Sequence, residues 1–173
     1  MKTTHEIRIY VACLKAYNNG KLHGEWVDAT QNSDDIYSDV AEMLEASPEH
    51  TEEEPCEEWA IHDYEGFGDI SISEHTGFDE ISELAQAIEE HGDAWLAYVS
   101  DTGAAYATQS DFKNRYIGEA ESEKDFVENM YHENGMVDEL PEWARNNIDW
   151  EGLAHDLFID SYTMVNGHVF SKH

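Results

Sequence analysis

Lysine and arginine are scarce in this chain: nine in 173 residues, with none between Lys21 and Lys113. Against them stand 39 aspartates and glutamates, 25 of which fall inside that base-free window, and the formal net charge is −30. A protein that holds nucleic acid needs Lys and Arg to displace the condensed counterions, so direct nucleic-acid binding is excluded. The same sign argument excludes an anionic membrane surface. Cysteine is limited to Cys13 and Cys56, which make neither a disulfide framework nor a C-x-x-C pair. Both thiols are expected to be buried as small hydrophobes. No apolar run approaches membrane-spanning length, and Met1–His5 lacks the apolar segment of a signal peptide. A reduced, cytoplasmic protein is expected.

Motifs for chemistry are missing as well. The chain has no H-E-x-x-H, no Cys/His zinc spacing and no D-x-D-x-D-G loop. It also has no G-x-S-x-G, no phosphate-binding glycine loop and no G-x-G-x-x-G. Ten histidines sit among the acids, but His62-Asp63 and His132-Glu133 are isolated pairs. They read as polar residues on strand and helix faces, with weak divalent-cation binding left open. No catalytic, cofactor or metal residue is assigned.

What is present suffices for a folded α+β protein. Hydrophobic residues make up 40%, including five Trp, nine Tyr and six Phe, which disfavours disorder. Ile7, Ile9, Val11 and Cys13 alternate with Arg8, Tyr10 and Ala12, the period of a strand. Tyr17-Asn18-Asn19-Gly20 carries turn chemistry, and Leu22–Ala29 reads as a returning strand. Ser33 is placed as the cap of a helix with Asp34 and Asp35 in its first turn and Ile36, Val40, Met43 and Leu44 inward. A Pro-bearing acidic connector covers residues 47–58, and Trp59–Tyr64 is extended. Phe78, Ile81, Leu84, Ala85 and Ile88 mark a second helix that ends at His91-Gly92. Trp95, Leu96 and Val99 suggest a short third one. Ser122-Glu123-Lys124-Asp125 looks like a capping-box start, and Gly135 is placed as that helix's αL cap. Pro141 fits the first position of a short helix. Asp149 is expected to cap a helix with Trp150, Leu153, Ala154 and Leu157 inward. Asn166-Gly167 signals a hairpin. Composition suggests three small domains: an α+β one over 1–68, an acidic helical one over 69–110 and an α+β one over 111–173.

The base-free window calls for its own explanation, because self-repulsion at this charge opposes the compact state. A salt-adapted surface accounts for any single Glu but not for bases being confined to the two ends. Carboxylates recurring on two helices and beside two strands suggest a line of anions. On a helix face they sit about 5–6 Å apart, and on alternate strand residues about 6.6 Å apart. Thirty net charges match roughly 50 Å of duplex DNA, whereas a compact chain of this length is only about 40 Å across. An elongated protein imitating the DNA backbone is therefore expected, and its inhibition of a DNA-handling enzyme should weaken with salt. The candidate phosphate surrogates are Asp34, Asp35, Asp39, Glu42 and Glu45 on the first helix and Glu52, Glu53, Glu54, Glu57 and Glu58 on the connector. Asp69, then Glu80, Glu83, Glu89 and Glu90 around the second helix, and Glu128 further on extend the set.

Short blocks along the chain resemble the ArdA-type antirestriction proteins. They are Ile9-Tyr10-Val11-Ala12, then Tyr17 to Trp26 (YNNGKLHGEW), then Trp59 to Glu65 (WAIHDYE). Tyr116-Ile117-Gly118-Glu119, Ser122 to Phe126, Ile148-Asp149-Trp150-Glu151 and Val169-Phe170 follow in order. Residues 70–109 match little beyond acidity and helicity, and His155-Asp156-Leu157 departs from the family, where an Arg precedes the Asp. The resemblance implies a non-catalytic inhibitor from mobile DNA that mimics B-form DNA against type I restriction–modification enzymes, engaging their methyltransferase/specificity core. It implies an elongated, three-domain protein, a homodimer through the C-terminal part. By position it adds Glu25, Glu65, Glu119, Glu121, Glu123, Asp125 and Glu151 to the partner-binding acids, with Asp63 taken as structural. Two rivals stay open on the residues alone. One is an acidic decoy or chaperone for another basic DNA-binding protein, and the other is a metal-dependent enzyme built on His62.

Overall fold

The computed structural model describes residues 6–173; the reading of Met1–His5 concerns residues outside that range. Helix and sheet are mixed, as expected for an α+β chain. Two compact units divide it, residues 1–96 and 97–173. The composition-based boundaries fall at 68/69 and 110/111, whereas the compact units meet inside a helix.

The first unit is built on a three-stranded antiparallel sheet in the order β2-β1-β3. Strand β1 (Arg8–Cys13) lies at its centre, so its alternate residues Ile9, Val11 and Cys13 are fully buried while Arg8 and Tyr10 are only partly so. Helix α1 (Leu14–Asn18) follows directly. The residues read as a simple turn are thus a helical turn first, closed by Gly20 at φ 75°. Strand β2 (Gly24–Asp28) is shorter than the Leu22–Ala29 expected, and Leu22 is exposed. Helix α2 (Ser33–Glu45) buries Ile36, Val40, Met43 and Leu44, the face its periodicity predicts. Its cap is Asn32, not Ser33: the Asn32 side chain accepts from the Asp35 amide at 3.0 Å, and Ser33 is already helical.

Strand β3 (Trp59–Glu65) pairs with β1 and is bulged at His62, where the partners step from Tyr10↔Asp63 to Val11↔Ile61. Gly66 then turns the chain at φ 86°, with room for no side chain: a Cβ would sit 2.7 Å from the Glu6 carbonyl oxygen. Helix α3 (Phe78–His91) joins this unit through Phe78, whose ring stacks on Trp59 at 4.1 Å and meets Tyr37 of α2 edge-on at 4.8 Å. The buried Ser82 hydroxyl donates to the Gln31 carbonyl at 2.7 Å. The helix ends at Gly92, φ 59°. Helix α4 (Asp93–Thr102) carries the chain across the unit boundary.

The second unit contains helix α5 (Gln109–Arg115), strand β4 (Tyr116–Glu119), helices α6 (Glu123–Glu133), α7 (Glu142–Arg145) and α8 (Trp150–Asp160), and strands β5 (Tyr162–Val165) and β6 (His168–Ser171). Its sheet is antiparallel in the order β4-β6-β5. Asn166 and Gly167 both have positive φ, 51° and 83°, as a two-residue type I′ hairpin requires. Ser122 caps α6 by accepting from the Asp125 amide at 3.1 Å, and its hydroxyl donates to the Asp125 carboxylate at 2.7 Å. That helix closes in a Schellman arrangement: the Met136 amide donates to Tyr131, the Gly135 amide to His132, and Gly135 has φ 71°. Asp149 caps α8 through the Gly152 amide at 3.0 Å. Pro141 occupies the cap of α7, one residue before the first helical position expected for it.

Two apolar groups hold this unit together. Val127, Ala154, Phe158 and Val169 form one, with Trp150, Leu153 and Leu157 packed against it half-buried. Phe158, unnamed by the periodicity argument, completes the inward face of α8. Rings of Tyr98, Phe112, Tyr116 and Phe170 form the other. Among the described residues, no helix is long and apolar enough to cross a membrane.

Candidate partner-binding surface

The cores leave every acid outside. None of the 39 Asp and Glu side chains is buried; only Glu49, Asp125 and Glu128 are even half-buried. Because α2 turns its four apolar residues inward, Asp34, Asp35, Asp39, Glu42 and Glu45 are all exposed. Asp35 accepts from the Asn32 side chain and Asp39 from Gln31 at 2.7 Å. Among the described residues, no Lys or Arg ion pair reaches Asp34, Glu42 or Glu45. On α3, burial of Phe78, Ile81, Leu84, Ala85 and Ile88 exposes Glu80, Glu83, Glu89 and Glu90. Asp69 is exposed before it, and Glu25 is exposed on β2 opposite Val11.

The connector is held down at only a few points. Glu52, Glu53, Glu54, Glu57 and Glu58 are exposed, while Ser47 and Cys56 are buried. The base-free stretch of sequence is not wholly base-free in space. Lys15 reaches Glu54 at 3.4 Å, Lys21 pairs with Glu49, and Arg8 bridges Glu65 at 2.9 Å and Glu6 at 3.0 Å. Arg8 also lies over the Trp26 ring at 4.6 Å. All the bases come from the N-terminal 21 residues. Spacing along the chain carries no signal of the pairings with Glu49, Glu54 and Glu65, because those partners are 28 to 57 positions apart.

Glu49 shows the electrostatic consequence. Its carboxylate is held below the ordinary range, first by the hydrogen bond from Lys21 and then by that from Asn19 at 2.7 Å. The pair stabilises the fold above the ordinary Glu range, and that contribution is lost as pH falls through the depressed pKa. Lys21→Met is expected to move the Glu49 titration back up toward the ordinary range, followed by the side-chain carboxyl carbon shift against pH. An unmoved midpoint would refute the pairing.

In the second unit Glu119 and Glu121 lie together beside the Asn166-Gly167 turn. Glu119 is 4.0 Å from the buried His168 ring, which also meets the Tyr116 hydroxyl at 3.2 Å. Burial first, and Glu119 second, raise the Tyr116 phenol above its ordinary value. Glu123 and Glu151 share a depression with Lys124, since the first turns of α6 and α8 lie side by side there. Asp125 is engaged in capping α6, and Glu128 is 4.0 Å from His132 one turn on. Asp63 accepts from the amide of Tyr64 at 2.8 Å, a local backbone contact.

His62 is exposed at the bulge of β3, its ring edge-on to Tyr17 at 4.8 Å. No group of three or more His, Cys, Asp or Glu is arranged to hold a metal among the described residues. Both cysteines are free and buried.

No match to a curated protein was found. The family model described as antirestriction protein (ArdA) matches residues 9–171, a span that takes in both sheets, but for Arg8 at the start of β1, and the acid-bearing helices. The chain belongs to the ArdA family of antirestriction proteins.

Proposed function

We propose that this antirestriction protein is a non-catalytic mimic of B-form DNA that occupies the DNA groove of a type I restriction–modification enzyme. The observation that carries the reading is the exclusion of all 39 carboxylates from the cores, with runs of them on the outward faces of α2, α3 and the connector. A DNA groove is lined by Lys and Arg that bind phosphates and release counterions. Carboxylates spaced along helix faces meet the same side chains. They offer no base edge to read and no phosphodiester to cleave, so the groove is filled and nothing turns over. The enzyme is inhibited by competition, and no cofactor takes part.

The reading includes a homodimer joined through residues 111–173, a division into domains at 1–68, 69–110 and 111–173, and action in the cytoplasm of a bacterial host. It also includes an elongated particle, because spreading 30 net charges lowers self-repulsion. A solution radius of gyration equal to that of a sphere would count against that part.

The test is displacement of a DNA duplex from the methyltransferase/specificity core of a type I enzyme, at low and moderate salt. Displacement at stoichiometric protein, weakening as salt rises and indifferent to chelator, is the expected result. No displacement at low salt overturns the restriction-enzyme target. Capture of a different basic DNA-binding protein in its place would make the chain a decoy for that protein.

A further inference from the structure

The two cysteines lie 43 positions apart in the chain, yet the fold brings their segments side by side. Cys13 ends β1 and pairs in register with Trp59 of β3. One residue on, the Leu14 amide donates to the Glu58 carbonyl at 3.0 Å, and the Lys15 ammonium group donates to the Glu54 carbonyl at 2.7 Å. Residues 54–59 therefore lie beside 13–15 with Cys56 in their midst. The Cys56 amide is fixed on the His50 ring at 3.2 Å. Both thiols are free, with 0% and 5% exposure. They adjoin each other and the buried Ser47 hydroxyl.

Two isolated core thiols would be inert small hydrophobes. These two differ from that in being adjacent to each other and to a buried hydroxyl. They are also unequal. Burial acts to raise Cys13, but its polar surroundings, Ser47 foremost, outweigh it and leave it below the ordinary thiol value. Burial pushes Cys56 above that value. A more acidic thiol beside a less acidic one supplies an attacking group and a resolving group.

We propose that Cys13 and Cys56 form a reversible intramolecular disulfide on exposure to hydrogen peroxide, and that the bond pins the acidic connector 47–58 against β1. The Cys13 thiolate attacks one peroxide oxygen, the O–O bond breaks, and the departing hydroxide leaves as water with the proton that Cys13 had released. The Cys56 sulfur then attacks the resulting sulfenic sulfur. The S–O bond breaks, a second water leaves with the Cys56 proton, and the S–S bond forms. Two thiols lose two electrons and two protons, and one peroxide becomes two waters. Peroxide gains access by local opening of the connector, whose residues 51–55 are exposed. The connector carries Glu52, Glu53, Glu57 and Glu58, so a change in inhibition follows only if the DNA-mimic reading holds; the disulfide itself does not depend on it.

The experiment treats the full-length protein with hydrogen peroxide and follows intact mass, non-reducing peptide mapping and thermal melting. The expected result is a monomer lighter by about 2 Da with a single Cys13–Cys56 linked peptide, both reversed by dithiothreitol. Closing that loop should raise the Tm by roughly 5–10 °C. Cys56→Ser should instead trap a sulfenic acid on Cys13, captured by dimedone. If that variant does not fold, the linked peptide of the wild-type protein decides alone. Addition of oxygen to one cysteine without a linked peptide, or disulfide-linked dimers as the only product, would overturn the proposal. Inhibition by the oxidised protein that differs at least threefold from the reduced protein supports the pinning. Equal inhibition by both forms, with the disulfide mapped, overturns the regulatory half alone.

Discussion

Converting Asp34, Asp39, Glu42, Glu45, Glu52, Glu53, Glu57 and Glu58 together to their amides is expected to weaken binding to a type I methyltransferase core by roughly 10²-fold or more at low salt. Any one of the changes alone should cost less than about fivefold. The estimate follows from exposure: all eight side chains are solvent-facing, and an exposed ion pair contributes about 0.2–1 kcal/mol, so the effect accumulates rather than residing at one position. The fold should survive. None of the eight side chains is buried, the amides keep their shapes, and removing eight like charges lowers self-repulsion. The loss of Asp34 from the first turn of α2 costs about 0.3–1 kcal/mol in dipole interaction, a small offset. The affinity of the octuple variant should also fall less steeply with salt, since fewer counterions are exchanged on binding. Binding measured by titration calorimetry across salt concentrations, with Tm as the folding control, checks both claims. An octuple variant that inhibits like the wild type would remove these acids from the contact. A single amide that abolished inhibition would replace a distributed surface with a hot spot.

Phe78→Ala is expected to destabilise the first unit by about 3–5 kcal/mol, the range for emptying a fully buried aromatic site. The ring is completely enclosed, stacked on Trp59 at 4.1 Å and met edge-on by Tyr37 at 4.8 Å. It therefore binds α3 to both β3 and α2. Against a typical stability of about 5–15 kcal/mol, this is a large share, and a fall in Tm of more than about 10 °C should result. Tyr106→Ala, at a side chain 77% exposed, is the control and should change stability by less than about 1 kcal/mol. Equal melting of the two variants would mean that α3 is not anchored through Phe78. Hydrogen exchange should lose protection in β3 and α2 together with α3, because one ring serves all three.

Much of the local structure was legible. The Ile36, Val40, Met43 and Leu44 face, the Ser122 and Asp149 caps, Gly135 and the Asn166-Gly167 turn are decided by side chains and amides within about five positions of each other. The misreadings have local causes too. Asn32 and Ser33 are both good capping residues in consecutive positions, and only backbone geometry selects Asn32. Helix α1 is five residues long and lies between strands, too short for periodicity to reveal. Strand β4 has four residues, a bulge at Ile117 and a glycine, so alternation has nothing to work on.

For the candidate surface, the exposure of the acids followed from the amphipathic faces, but their bases did not. Lys15, Lys21 and Arg8 reach Glu54, Glu49 and Glu65 only because β1 sits between β2 and β3 and brings the N-terminal segment alongside the connector. The same placement sets Cys13 beside Cys56. By itself, then, the amino-acid sequence determined the protein's own charge and its uneven spread along the chain, the helix faces and caps, the hairpin and the family blocks, all of them properties of composition or of residues close in the chain. Strand order, the bulge at His62, the stacking of Phe78, the neutralised acids and the thiol pair belong to tertiary structure. They depend on contacts between residues tens of positions apart, which form only when burial of the apolar faces fixes how the elements meet.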